Sequence, residues 1–239
     1  MPDSEFDRII NRRDTESVKW NRYGQDVLPL WVADMDFFSP EPVIRALRQR
    51  VDHGVYGYPA ELPELRPVVV ERLERLYGWQ VEPNALVFVP GVVVGFNLAI
   101  QACAAEGDGV LVQTPVYYPM LYAPANANCT LDEMQLTEGR DGQYEVDYDL
   151  LEETVTDRTR VFLLCNPHNP VGRVFRREEL EQMAEICLRH DMIICSDEIH
   201  CDLIFSEHRH MPIATLSPEV EARTITLIAP SKTYNIAGL

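Results

Sequence analysis

From Ala85 onward the apolar residues fall into short runs separated by longer amphipathic stretches. The runs are Leu86–Val89, Val110–Gln113, Leu131–Leu136, Val161–Cys165, Met192–Cys195 and Thr224–Ala229, and helical patterns lie between most of them, over Val92–Ala105, Tyr148–Val155 and Glu178–His190. Strands alternating with helices predict an α/β fold with a mostly parallel sheet between two helical layers. Several strands are continuously apolar, as expected where both faces are covered. Upstream the pattern differs. The first forty residues are irregular, with apolar patches such as Pro29–Phe37, and read as an arm that packs on something. Ser39 and Pro40 open a helix toward Val51, Ser as N-cap and Pro in the first turn. A second helix runs from about Glu64 to Tyr77 and stops at Gly78. The chain therefore reads as an N-terminal arm, residues 1–40, and one large domain, residues 41–239.

Charge narrows the choice of partner. Lys plus Arg is 21 and Asp plus Glu is 38, a net charge of −17. That argues against binding nucleic acid, whose affinity rests on basic residues, and against docking on an anionic membrane. Only Lys19 and Lys232 are lysines; the other basic residues are arginines. Arg stays protonated, whereas a lysine amine can lose its proton and act as nucleophile or base. The six cysteines form no CxxC and mostly sit in apolar runs, which reads as small buried hydrophobes in a reducing compartment. The polar N-terminus does not resemble a signal peptide, and the most apolar stretch, Ala85–Phe96, is short and broken by Pro90 and Gly91. A cytoplasmic protein is expected.

In parallel α/β sheets, ligands bind at the carboxyl ends of the strands, so the loops there are the place to look for chemistry. After Val89, Gly91 leads into a helix whose first N–H groups, on Val92 and Val93, suit an anion; an ordinary strand-to-helix turn explains this loop equally well. After the next strand, Tyr117 can offer a flat face to a planar ligand, or simply cap the core. After Cys165, Asn166-Pro167 and Asn169-Pro170 hold two side-chain amides rigidly. After Cys195 come Asp197, Glu198 and His200; carboxylates behind a buried strand are costly unless paired, so Asp197 calls for a cation. Cys195, His200, Cys201, His208 and His210 lie close in sequence, but HExxH and paired CxxC spacings are absent and no metal site is expected. After Ala229 comes Lys232, where desolvation at a strand end would favour the neutral amine that a Schiff base needs. An anion-binding helix start, an aromatic face, a positioned amide, an aspartate and an amine together suit pyridoxal 5′-phosphate (PLP), which needs a lysine partner for its aldehyde and an acidic partner for its pyridinium nitrogen.

At these residues the sequence resembles the fold-type I PLP enzymes of the class I/II aminotransferase superfamily. NPHNPVG is similar to the family's NPxNPTG, SDEIH to SDE-[IV]-[HY], and SKTYN to S-K-[ST]-[FY]-N. WVADMDF and SDEIHCDL resemble the MalY/PatB branch of cystathionine β-lyase-like C–S lyases, and the likeness runs from about Phe6 to Leu239. The resemblance implies a three-layer α/β/α large domain in which Lys232 is covalently joined to PLP and Asp197 pairs with the ring nitrogen. It implies that Asn169 and His200, the latter where many relatives carry Tyr, contact the ring hydroxyl. Tyr117 would stack on the ring, and the N–H groups of Val92 and Val93 with Ser231 would hold the phosphate. Tyr58 would reach the phosphate of a neighbouring subunit, which implies a homodimer. Val171 replaces the family's Thr, and Ala229 stands where several relatives have Ser.

The family continues past the position of Leu239 through another strand, inside the sheet, and a small C-terminal domain with an arginine for the substrate carboxylate. The resemblance therefore implies a C-terminally truncated chain and a gap in its sheet. The activity it implies is β-elimination from cystathionine or related S-substituted cysteines to thiol, pyruvate and ammonia. Two alternatives are an aminotransferase using the same cofactor and a non-catalytic regulatory binding protein or inactive fragment.

Overall fold

The computed structural model describes residues 5–140 and 142–239, which divide into two compact units: the chain up to Pro59 together with Pro230–Leu239, and Ala60–Ala229. The first contains helices α1 (Val18–Asn21) and α2 (Glu41–His53). The second begins with α3 (Leu65–Tyr77), which ends at Gly78 in the left-handed region with φ 64°, and continues through α4 (Val92–Cys103). There follow β1 (Gly109–Thr114), α5 (Tyr118–Asn126), β2 (Thr130–Gln135), a short antiparallel hairpin of β3 (Thr137–Glu138) and β4 (Tyr144–Glu145), and α6 (Tyr148–Thr154). The unit closes with β5 (Thr159–Cys165), α7 (Arg177–Arg189), β6 (Ile193–Asp197), α8 (Pro218–Glu221) and β7 (Thr224–Leu227). Helix α9 (Pro230–Thr233) belongs to the first unit.

Strands β1, β2, β5, β6 and β7 form one parallel sheet in the order β2-β1-β5-β6-β7. Side chains alternate across a sheet, and here both sets are apolar. Val110, Val112, Val161, Leu163 and Cys165 pack with Phe96 and Ile100 of α4 and Met120 of α5. Leu111, Phe162, Leu164 and Ile194 pack on the other side with Leu151 of α6 and Leu180 and Met183 of α7. The continuous apolar runs thus become strands covered on both faces, in an α/β/α arrangement. Helix α4 approaches β7 closely at Gly95, where a Cβ would lie 3.1 Å from the Leu227 side chain.

Two sequence expectations change. Leu86–Val89 is not a strand: among the described residues it pairs with none, and Val87 is 80% exposed. An apolar run becomes a strand only with a neighbour to take its backbone hydrogen bonds, and β7 is the last strand on that side of the sheet. Helix α5 is absent from the sequence reading because Pro119 and Pro124 lie within it. Pro119 falls in the first turn, where a missing N–H costs nothing.

In the first unit the N-terminal arm is held by charge. Arg12 pairs with Asp34 and with Asp36, the latter at 2.6 Å, and the 7% exposed Lys19 places Nζ 2.7 Å from Asp36 and 2.9 Å from the Asp34 carbonyl oxygen. Trp20 Nε1 also donates to Asp36, at 2.7 Å. Partial burial raises the Asp36 pKa, but these donors outweigh it and hold the carboxyl at about 2. Among the described residues no helix is long and apolar enough to cross a membrane.

Candidate active site

In the second unit, the carboxyl ends of β1, β5 and β6 lie side by side, and the parallel register sets Cys165 opposite Asp197. Each strand delivers one loop. Beyond β1, Tyr117 immediately precedes α5 and is half-buried, its ring 5.3 Å from that of Tyr118. Burial, with Tyr118 and Asp197 nearby, raises the Tyr117 phenol pKa.

Beyond β5, the amide of Asn166 is turned inward, its Oδ1 accepting from Phe175 N at 3.0 Å. His168 Nε2 lies 2.9 Å from the carbonyl oxygen of Pro115. A carbonyl only accepts, so Nε2 carries the proton and donates, and His168 staples the loop bearing Asn169 to the loop bearing Tyr117. Asn169 is half-buried, its N–H directed at Cys165 Sγ at 3.5 Å. The Asn-Pro pairs hold two rigid amides, and the structure makes that of Asn166 a loop brace.

At the end of β6 two adjacent carboxylates separate, Asp197 as the last strand residue and Glu198 just after it. Asp197 is 4% exposed and its Oδ1 accepts from Ile199 N at 3.1 Å. Its field adds to burial in raising the thiols of Cys165 and Cys195. Glu198 turns the other way and is consumed structurally, accepting from Ser196 Oγ at 2.9 Å, His210 Nε2 at 2.7 Å and Ile213 N at 3.3 Å. His200 is half-buried in the turn that follows. Among the described residues no three His, Cys, Asp or Glu side chains are grouped to hold a metal ion.

Helix α4 starts at Gly91, with φ 106° and ψ 155°, and no side chain caps it. That backbone conformation is open to glycine alone. The first-turn N–H groups, including those of Val92 and Val93, receive no side-chain cap, and the helix dipole favours negative charge at such an end. In the first unit, α9 carries Ser231 and Lys232, both half-buried, and Tyr58 is fully exposed. Lys232 is thus not the buried strand-end amine of the sequence reading, because β7 stops at Leu227 and Pro230 starts a helical turn.

His168 gives a pH prediction. Burial lowers its pKa below the ordinary histidine value. Below an unfolded-state pKa of about 6.5, the unfolded chain takes up a proton that the folded imidazole resists. Stability is therefore lost as pH falls below that value and is unaffected by this group above it. His168→Gln can donate the same bond to Pro115 without titrating. Its Tm should fall less than that of the parent between pH 7 and 5, and parallel acid limbs would contradict this.

Residues 25–239 match the family described as aminotransferase class I and II. The chain belongs to this family. It is 42% identical to cystathionine beta-lyase PatB of Bacillus subtilis (strain 168) over 240 residues, covering 98% of this chain and 62% of the relative. It is 30% identical to the aspartate aminotransferase of Pyrococcus abyssi (strain GE5 / Orsay) over 217 residues, covering 90% of this chain and 55% of that one. The structure is similar to the PLP-bound C–S lyase from Staphylococcus hominis, with a TM-score of 0.90, 34% identity, and coverage of 98% of this chain and 60% of that one. The chain thus spans about three fifths of the length of the PatB and C–S lyase chains that it matches.

Proposed function

We propose that the protein binds PLP and acts as a carbon–sulfur β-lyase on cystathionine or a related S-substituted cysteine. The observation that carries the cofactor assignment is the buried carboxylate of Asp197 at the carboxyl end of the parallel strand β6. A buried anion there suits a cationic planar ligand. The donor set fits the rest of PLP. The uncapped start of α4, with Val92 and Val93, would take the phosphate, and the family resemblance assigns Ser231 to the same group. Tyr117 would stack on the ring, Asn169 and His200 would hold its hydroxyl, and Asp197 would hold the proton on the ring nitrogen. Lys232 supplies the amine.

When bound, PLP supplies an aldehyde that captures amino groups and a ring that draws electrons away from the substrate's α-carbon. The chain does the rest. Lys232 would hold the cofactor's aldehyde, and its amine would take the substrate's α-proton as general base. Asp197 keeps the ring nitrogen protonated throughout. The net reaction consumes one water and yields thiol, pyruvate and ammonia. The choice of lyase rests on the similarity to PatB over nearly the whole chain and on the WVADMDF and SDEIHCDL segments.

Tyr58, fully exposed, is assigned to the phosphate of a second subunit, so the active form is a homodimer. The six cysteines are all free, in keeping with a reducing cytoplasm.

The test is L-cystathionine turnover by the purified protein. Pyruvate and a free thiol should appear in equal amounts, and no pyruvate would overturn the lyase assignment. Family membership and the likeness to an aspartate aminotransferase favour a second reading, transamination. Conversion of a plain amino acid to its keto acid, one equivalent per bound PLP and without thiol release, would establish it.

Borohydride reduction with PLP checks the site itself. The adduct should map to Lys232 and not to Lys19. Lys19 is nine-tenths buried and its Nζ is hydrogen-bonded to Asp36 and the Asp34 carbonyl, which shields it from an aldehyde. An adduct on Lys19 alone would refute the assignment.

A further inference from the structure

Asn235 lies three residues beyond Lys232 and its side chain is fully committed to the N-terminal arm. Its Oδ1 accepts from Met35 N at 3.0 Å, and its Nδ2 donates to Met35 O at 3.0 Å and to Phe37 O at 2.8 Å. Ser39 Oγ donates to the Asn235 carbonyl at 2.9 Å. One amide thus pairs with both backbone groups of Met35, as a neighbouring strand would, and takes a further carbonyl as well. All these residues belong to one compact unit.

The far side of this clamp is firm. Met35 lies between Asp34 and Asp36, whose carboxylates are tied to Arg12 and Lys19, so the segment that receives Asn235 is itself fixed by the arm's ion pairs. The near side is weak. Helix α9 is four residues long, far below the length at which a helix is stable by itself. After it come the backbone bonds Tyr234 N to Pro230 O at 3.0 Å and Ile236 N to Ser231 O at 3.0 Å. A single turn of this kind needs an outside anchor, and the Asn235 amide provides one. Asn235 also has φ 53°, in the left-handed region that Asn tolerates better than most residues.

We infer that Asn235 is a positioning residue for Lys232: it locks the one-turn helix that carries the lysine to the Asp34–Ser39 segment, so that the arm sets the orientation of the amine. The inference rests on the assignment of Lys232 as the PLP lysine. It predicts that damage to the arm, remote in sequence, is felt at Lys232.

Three variants of the full chain separate the possibilities. Asn235→Ala removes the side-chain bonds. Asn235→Asp keeps the acceptor for Met35 N but sets a carboxylate oxygen against two carbonyls. Asn235→Gly removes the bonds while accommodating the positive φ without strain. Two measurements apply to each: amide exchange by mass spectrometry, and PLP binding followed by absorbance over a pH series and by borohydride trapping.

All three variants should exchange at least about tenfold faster over both residues 34–39 and 230–236, with strands β1 and β5 unchanged. All three should trap several-fold less PLP on Lys232, and in the fraction still bound the pH midpoint of the lysine–PLP absorbance should move. A merely structural loss would lower the bound fraction without moving that midpoint. Wild-type behaviour of Asn235→Gly would show that Asn is present only for its φ, and would overturn the inference. So would unchanged exchange at residues 230–236 in Asn235→Ala. If the wild-type chain formed no Lys232 adduct while Lys19 or the N-terminus did, the cofactor assignment would fall and take the inference with it; a normal wild-type adduct with indifferent variants would remove Asn235 alone.

Discussion

Lys232→Ala should reduce pyruvate release from cystathionine by about a thousandfold or more, while the protein remains folded. The lysine has two tasks in the proposed reaction, holding the aldehyde covalently and moving the α-proton. Loss of a general base alone typically costs about 10²–10⁴ in rate, or roughly 3–5 kcal/mol of barrier at 1.4 kcal/mol per factor of ten. The side chain is half-buried on a one-turn helix and fills no part of either apolar cluster. Its removal should change stability by no more than about 0.5 kcal/mol, as for substitutions away from a core. The residues assigned to the phosphate and ring lie elsewhere in the chain, so the variant should still take up PLP without covalent attachment. It should lose that PLP on dialysis and yield no reduced adduct. A small primary amine supplied in solution should restore part of the rate, because what is missing is a base of that chemistry. A variant that kept more than a tenth of parent activity would mean that Lys232 is not the base.

The positions of several candidate site residues were legible because they lie at strand ends, and strand ends follow from the hydrophobic pattern. Five of the six apolar runs became strands of one parallel sheet, so the strand end at Asp197 and the loops carrying Tyr117, Asn169 and His200 fall where counting put them. The sixth run, Leu86–Val89, had the composition of a strand but no partner. Composition reports burial, whereas a strand also requires a neighbour's hydrogen bonds.

The residues that escaped notice are those whose role depends on what lies across a gap in sequence. His168 looks like a variable position within NPHNP, yet it reaches back 53 residues to Pro115. Glu198 looks as eligible as Asp197, and only the positions of His210 and Ile213 show that it is already occupied. Asn235 closes a motif whose chemistry seemed to reside in the lysine, and its partners lie about 200 residues away. Local sequence identifies a chemical group; it does not reveal a long-range partner, and here the partner decides between chemistry and bracing.

Asp197→Asn tests the other half of the cofactor assignment and should lower turnover by about 10²–10³, the usual cost of removing one preorganised electrostatic contact. Asparagine has nearly the same shape, and its Oδ1 can still accept from Ile199 N. What disappears is the negative charge. A neutral amide cannot hold the proton on a ring nitrogen, so PLP affinity should fall together with the rate. Folding should not suffer. Asp197 is 4% exposed, and relieving a buried charge of its desolvation cost tends to leave stability unchanged or raise it. The Tm without added PLP should therefore hold or rise, while the rise in Tm on adding PLP shrinks.

A further readout needs no cofactor at all. The carboxylate contributes, after burial and Tyr118, to the raised pKa of the Tyr117 phenol. A nearby negative charge disfavours the phenolate, so its removal must bring that pKa down, while the remaining burial keeps it above about 10. Carbon-13 NMR of labelled tyrosine over an alkaline titration would read the shift. If Tyr117 titrated identically in parent and variant, the two side chains would not face a common region. Asp197 would then be a buried carboxylate without the ring-binding role assigned to it, even if turnover had fallen.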